Sequence, residues 1–84
     1  MKTVTVYTTD YCGFCVAAKT LLKSKDIPFQ EVDVTKDQAL RQEVVKRSGR
    51  RTVPQIFIGD ESIGGFVELK ALSDRGELAT KLAD

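Results

Sequence analysis

The sequence has no histidine and no tryptophan, and only two cysteines, two prolines and one methionine among 84 residues. Without histidine the chain lacks the side chain that most often acts as a general base near neutral pH and most often ligates a metal. No apolar run is longer than a few residues, so nothing approaches the ~20 apolar residues of a membrane-spanning helix. Charge of one sign is also missing. Thirteen Lys and Arg stand against twelve Asp and Glu, a net charge of +1, which supplies no general attraction to nucleic acid or to an anionic membrane. Linkers, repeats and low-complexity tracts are absent. Met1-Lys2 leads straight into a strand-like run over residues 3–7 with no charged-then-apolar export signal, and a cytoplasmic location is expected on that ground. The 42% of hydrophobic and 30% of charged residues are the balance of a soluble globular protein, and the length allows one small domain, residues 1–84.

A domain of this size is marginal and would gain from a staple. A bridge between Cys12 and Cys15 closes only a tiny loop and restrains little of the unfolded chain, so the cysteines require another explanation.

Thr3-Val4-Thr5-Val6-Tyr7 is β-branched and aromatic and reads as a first strand. From residue 13 to about 25, Ala17, Ala18, Leu21 and Leu22 recur at helical spacing, and Pro28 ends that helix by disfavouring helical geometry at Ile27. Residues 29–34 form a second strand with Val32 and Val34 on one face. Thr35-Lys36-Asp37-Gln38 fits a capping box for a helix reaching about Ser48, with Leu40 and Val44 on one side and Gly49 as its stop. Residues 53–58 form a third strand, and Gly59-Asp60 turns it into a short fourth over residues 61–63. Residues 66–83 read as one or two helices, interrupted near residues 73–76. The order β-α-β-α-β-β-α predicts an α/β fold in three layers, with helices on both faces of a mixed four-stranded sheet. The first and second strands are parallel through a helical crossover, and the last two form an antiparallel hairpin.

Cys12-Gly13-Phe14-Cys15 follows the first strand and opens the first helix. A spacing of three places both sulfurs on one face of the first turn. Cys12 falls where free backbone N–H groups and the positive end of the dipole stabilise a thiolate, the nucleophile of thiol–disulfide exchange. Cys15, one turn further in, is placed to attack a mixed disulfide on Cys12. Two blander readings stand beside this one. Half of a zinc site fails for want of ligands, because two cysteines and no histidine cannot complete a tetrahedral site in one chain. A pair of incidental core cysteines is the other.

Three further features accompany the cysteines. Pro54, in Thr52-Val53-Pro54, is either a plain strand-initiating proline or a cis proline that leaves neighbouring backbone groups free for a ligand. Gly64-Gly65 is either an ordinary strand-to-helix turn or a place where backbone N–H groups meet a carboxylate. Arg41, Lys46, Arg47, Arg50 and Arg51 are opposed only by Glu43 in their stretch. They are either a solvated face or an attractor for a small anion, with Arg41 suited to forked carboxylate binding.

Together these residues resemble the glutaredoxin family, small glutathione-dependent oxidoreductases with the thioredoxin-like fold. The resemblance covers essentially the whole chain. It rests on Tyr7-Thr8 ahead of Cys12-Gly13-Phe14-Cys15, on the block from Arg47-Ser48-Gly49 through Thr52-Val53-Pro54-Gln55-Ile56-Phe57-Ile58, and on Gly64-Gly65. It implies a cis Pro54 facing the cysteines and a glutathione groove made by Tyr11, Phe14, Arg41, Thr52, Val53, Pro54, Gly65, Phe66 and Glu68. In that groove the backbone of Val53 meets the cysteinyl part, Arg41 the glycine carboxylate, and Gly65, Phe66 and Glu68 the γ-glutamyl end. It implies catalysis by Cys12 and Cys15 in a monomer, on disulfide-bearing or glutathionylated proteins. The chain departs from the family pattern at three places. Thr9 replaces a common lysine, Phe66-Val67-Glu68 replaces a more polar turn, and Gly13-Phe14 replaces Pro-Tyr. The glycine is similar to that of relatives that hold a [2Fe-2S] cluster between two chains, with Cys12 and glutathione as ligands, so a cluster-carrying dimer is one alternative function. A thioredoxin-like donor reduced by a flavoprotein reductase is the other.

Overall fold

A computed structural model describes residues 1–84. The element order is β1 (Val4–Thr8), α1 (Gly13–Ser24), β2 (Gln30–Asp33), α2 (Gln38–Ser48), β3 (Gln55–Ile58), β4 (Glu61–Gly64), α3 (Phe66–Asp74) and α4 (Leu78–Leu82). The strands form one mixed sheet in the order β2-β1-β3-β4. β1 runs parallel to β2 and antiparallel to β3, which in turn pairs antiparallel with β4. The expected architecture is present, and the last helical region divides at the anticipated break into α3 and α4. No helix is long and apolar enough to cross a membrane.

Side chains alternate across a strand, and here the alternation builds two cores. Val4 and Val6 of β1 and Ile56 and Ile58 of β3 join Ala18, Leu22, Leu69, Leu72, Leu78 and Leu82 from α1, α3 and α4 on one face. Tyr7 and Phe57 point the other way and join Val34 and Val44, the latter from α2. β3 is covered on both faces and flanked on both edges, and all four of its residues are buried. The Tyr7 and Phe57 rings meet edge to face with centroids 5.6 Å apart. The Arg47 guanidinium lies 4.4 Å from the Phe57 ring centroid and donates to the Tyr7 hydroxyl. One member of the basic run is therefore a brace for the smaller core.

The helix ends differ from the sequence expectation in two ways. α1 stops at a Schellman motif before Pro28 acts: Asp26 adopts φ 57°, its N–H donates to Lys23, and the Ile27 N–H reaches back to Leu22. The cap of α2 is Asp37, whose carboxylate accepts from the Leu40 N–H at 3.0 Å, and not Thr35. The Thr35 hydroxyl instead accepts from the Asp10 N–H at 2.8 Å, tying the end of β2 to the loop that carries the cysteines. Competition between adjacent capping side chains is settled by where β2 ends, a tertiary matter.

Phe57 is the largest fully buried side chain and touches both Tyr7 and Arg47. Phe57→Ala is expected to cost about 3–5 kcal/mol, the usual penalty for emptying an aromatic core site. Urea titration should show the midpoint falling with little change in slope.

Candidate active site

Cys12 caps the N-terminus of α1, with φ −114° and ψ 102°, and its Sγ accepts from the Cys15 N–H at 3.1 Å. A sulfur in this position meets the unpaired amides and the positive end of the helix dipole, both of which favour negative charge. The two cysteines form a disulfide with their Cα atoms 5.2 Å apart. Cys15 is buried at 2% exposure, while Cys12 is partly open. The preceding turn places Tyr11 at φ 54° with its side chain fully exposed. Gly13 has no positive φ, and a Cβ there would meet nothing within 4 Å. The glycine is therefore not demanded by sterics in this loop.

Across from α1, the Val53-Pro54 peptide bond is cis and Pro54 is buried. The Cys12 Sγ lies 3.6 Å from the Val53 carbonyl oxygen. Val53 falls just before β3, and neither its N–H nor its carbonyl makes a backbone hydrogen bond within the protein. These groups remain available to an extended ligand lying beside the disulfide.

Phe14, Thr52, Val53, Pro54, Gly65, Phe66 and Glu68 line one hollow beside this point, joined by Arg50 and Val67. Its volume of about 200 Å³ is below the ~300–1,000 Å³ of pockets that enclose a small molecule. It suits one end of a ligand, with the remainder lying across the surface. Phe14 and Phe66 stack along it with centroids 6.1 Å apart. Arg41 is not part of this hollow. It is exposed and lines a second one with Thr35, Gln38, Gln42, Val45 and Arg51. Arg50 carried no assignment at the sequence level, and only the fold shows it reaching Glu68. Its place in a basic run gave no signal to separate it from its neighbours.

Glu68 is the main change to the expected picture of the glycine turn. Its Oε1 accepts from the Gly65 N–H at 2.7 Å and from Arg50 at 2.9 Å. The carboxylate of the chain itself thus holds an amide that the sequence left open to a ligand. Gly64 permits this closure: its φ is 113°, and a Cβ there would stand 2.8 Å from the Glu68 Oε1. The Gly65 N–H, followed by the Arg50 charge, holds the Glu68 carboxyl below its ordinary pKa.

The model of the glutaredoxin family matches residues 4–63. The chain belongs to the glutaredoxin family. It is 50% identical over 78 residues to glutaredoxin 3 of Escherichia coli K12, covering 93% of this chain and 94% of that one. The glutaredoxin of Brucella melitensis, solved in solution, superposes with a TM-score of 0.87 at 45% identity, covering 98% and 89% of the two chains. A buckwheat glutaredoxin–glutathione complex superposes with a TM-score of 0.89 at 27% identity, covering 96% and 76%. The glutaredoxin pair Cys12-Cys15 and the cis proline thus lie where the family resemblance implied.

Because folding lowers the pKa of Glu68, its ionised form stabilises the native state above the unfolded carboxylate pKa, and that contribution fades as pH falls through the folded value. Glu68→Gln should cost at most about 1 kcal/mol at pH 7, since the pair is partly exposed and screened. Denaturant midpoints of the two proteins measured down to acid pH should converge as Glu68 protonates.

Proposed function

We propose that this single-domain protein is a glutathione-dependent thiol–disulfide oxidoreductase acting through Cys12 and Cys15, as a monomer in a reducing, cytoplasmic compartment. The observation that carries the proposal is Cys12 itself. It caps α1, accepts an amide N–H at its sulfur, bonds to a buried Cys15, and lies beside the unpaired backbone of Val53. Membership of the glutaredoxin family supports the reductant, and a relative of similar fold is solved as a glutathione complex. Both cysteines are engaged in the redox pair and none remains for a structural bridge, which suits a compartment where thiols are kept reduced.

The geometry supports a reaction that begins at Cys12. The Cys12 thiolate attacks a protein–glutathione mixed disulfide, forming a Cys12–glutathione disulfide and expelling the protein thiolate. A second glutathione thiolate then attacks this bond, releasing oxidised glutathione and restoring the Cys12 thiolate. On a protein disulfide, Cys12 forms the mixed disulfide with the substrate and Cys15 displaces the remaining substrate thiolate. That leaves the Cys12–Cys15 disulfide for two glutathiones to reduce. No separate general base is needed when Cys12 is ionised at working pH.

Glutathione is assigned to the strip that joins the two hollows. Arg51 lines one and Thr52 the other, so a ligand pairing with Val53 spans both. Its glycine carboxylate then lies toward Arg41 and Arg51, its cysteinyl part on Val53 and Pro54 near Tyr11 and Phe14, and its γ-glutamyl end at Gly65, Phe66 and Glu68. With Glu68 seated on the Gly65 N–H, that end brings its ammonium group to the Glu68 carboxylate. One chain offers a [2Fe-2S] cluster a single partly open cysteine, Cys12, and no group of three candidate ligands, so a cluster would need a second chain and glutathione thiolates to complete its ligands.

Cys12→Ser should abolish turnover, whereas Cys15→Ser should retain deglutathionylation and lose reduction of protein disulfides. The check is turnover of a glutathionylated peptide with glutathione and its reductase, beside turnover with thioredoxin reductase. Activity only with the latter would overturn the reading. Arg41→Ala should raise the KM for glutathione by several-fold, the equivalent of about 1 kcal/mol for an exposed charge-assisted contact. An unchanged KM would make Arg41 part of a solvated face.

A further inference from the structure

Gln55, the first residue of β3, has no exposed surface and is the only buried side chain with an unpartnered polar atom. Its Nε2 donates to the Thr52 carbonyl at 2.9 Å and approaches the Thr52 hydroxyl at 3.3 Å, while Oε1 has no partner. The orientation of the amide is fixed by chemistry, because only the amino group can donate to a carbonyl oxygen. A leucine or methionine would fill a similar volume without leaving a buried acceptor unpaired. Core stability therefore does not account for a glutamine at this position.

The peptide it holds supplies the missing reason. The Thr52 carbonyl and the Val53 N–H belong to one planar unit, and the chain's one cis bond is the next peptide along, Val53-Pro54. In a trans peptide the carbonyl and the N–H point to opposite edges of the plane. Drawing the Thr52 oxygen inward onto a buried side chain turns the Val53 N–H outward, on the side where it has no backbone partner. The anchor is firm, since the Gln55 backbone is registered opposite Tyr7 in the β1–β3 ladder.

We propose that Gln55 is a positioning residue that pins the Thr52–Val53 peptide and so presents the Val53 N–H to the glutathionyl part of the substrate. The inference rests on the function proposed above. It assigns to a buried core position a share of substrate recognition, exerted through the backbone of its neighbours.

The test compares wild-type protein with Gln55→Met and Gln55→Leu, each assayed on a glutathionylated peptide with thermal midpoints measured in parallel. The expected result is a rise of about fivefold to tenfold in KM with kcat within about twofold, the loss of one binding hydrogen bond. The thermal midpoint should be unchanged or raised, because the unpaired acceptor is gone. Amide hydrogen exchange at Val53 should quicken in the variants as the peptide is freed. An unchanged KM in folded variants with wild-type turnover intact overturns this inference alone. A parallel fall in kcat and thermal midpoint also overturns it, by making Gln55 merely structural. Wild-type protein without turnover overturns both this inference and the functional reading. If neither variant folds, a scalar coupling across the Gln55 Nε2–Thr52 carbonyl hydrogen bond in wild-type protein decides. Its persistence in the free and glutathione-bound forms supports the proposal, and its absence in either rejects it.

Discussion

The site depends on the antiparallel pairing of β1 with β3. That ladder sets Tyr7 opposite Gln55, so the chain leaving β1 and the chain entering β3 emerge at the same end of the sheet. Four residues beyond β1 the first chain places Cys12 at the start of α1. Just before β3 the second places Val53 and the cis Pro54. The sulfur and the unpaired backbone, 41 residues apart in the chain, meet at 3.6 Å because β1 and β3 share a register. A one-residue slip would turn every side chain of β3 to the opposite face and separate the two halves of the site. The apolar alternation of Ile56 and Ile58 against Phe57 forbids that slip. The packing of a small core is thus also what holds the catalytic geometry.

Charge near the site is committed more locally than composition suggests. Arg47 rests on Phe57, Arg50 pairs with Glu68, and Glu68 closes on the amide of Gly65. Arg41 and Arg51 are left together in the hollow on the α2 side. A ligand with carboxylates at both ends therefore meets unequal environments. One end finds guanidinium groups, and the other finds a carboxylate already seated on its best amide. That asymmetry gives the strip between the hollows two chemically distinct ends. It arises because Glu68, in the first turn of α3, reaches back to the N–H of the N-cap Gly65, which is the acidic half of a capping box.

The structure also separates the two cysteines by environment. Both belong to the first turn of one helix, yet Cys12 is open at the cap and Cys15 is buried under the sheet-facing side of α1. Exposure and amide contacts favour attack by the first, and burial reserves the second for a bond already formed nearby. An Asp10 N–H held by Thr35, and Tyr11 in a left-handed conformation, fix the loop between β1 and Cys12.

By itself the sequence determined the elements, their order and the redox motif. Hydrophobic period, proline and glycine are local signals, and Cys12-Gly13-Phe14-Cys15 carries its spacing and its place at a helix start within four residues. The block around Thr52-Val53-Pro54 marked the second half of the site, although the isomer of that proline was legible only through family resemblance. Tertiary structure decided the rest, for one physical reason: side chains with several possible partners choose among them by distance in space. It made Asp37 and not Thr35 the cap of α2, and it divided the five basic residues between core, ion pair and surface. It turned Glu68 onto the Gly65 amide that the sequence had left open to a ligand. It also set Gln55, an unremarked polar residue in a strand, against the carbonyl of Thr52. The contacts of Arg47, Arg50 and Thr35 join parts of the chain that only the folded sheet brings together, whereas those of Asp37, Glu68 and Gln55 each span three residues and are selected by where the neighbouring strand or turn places the backbone.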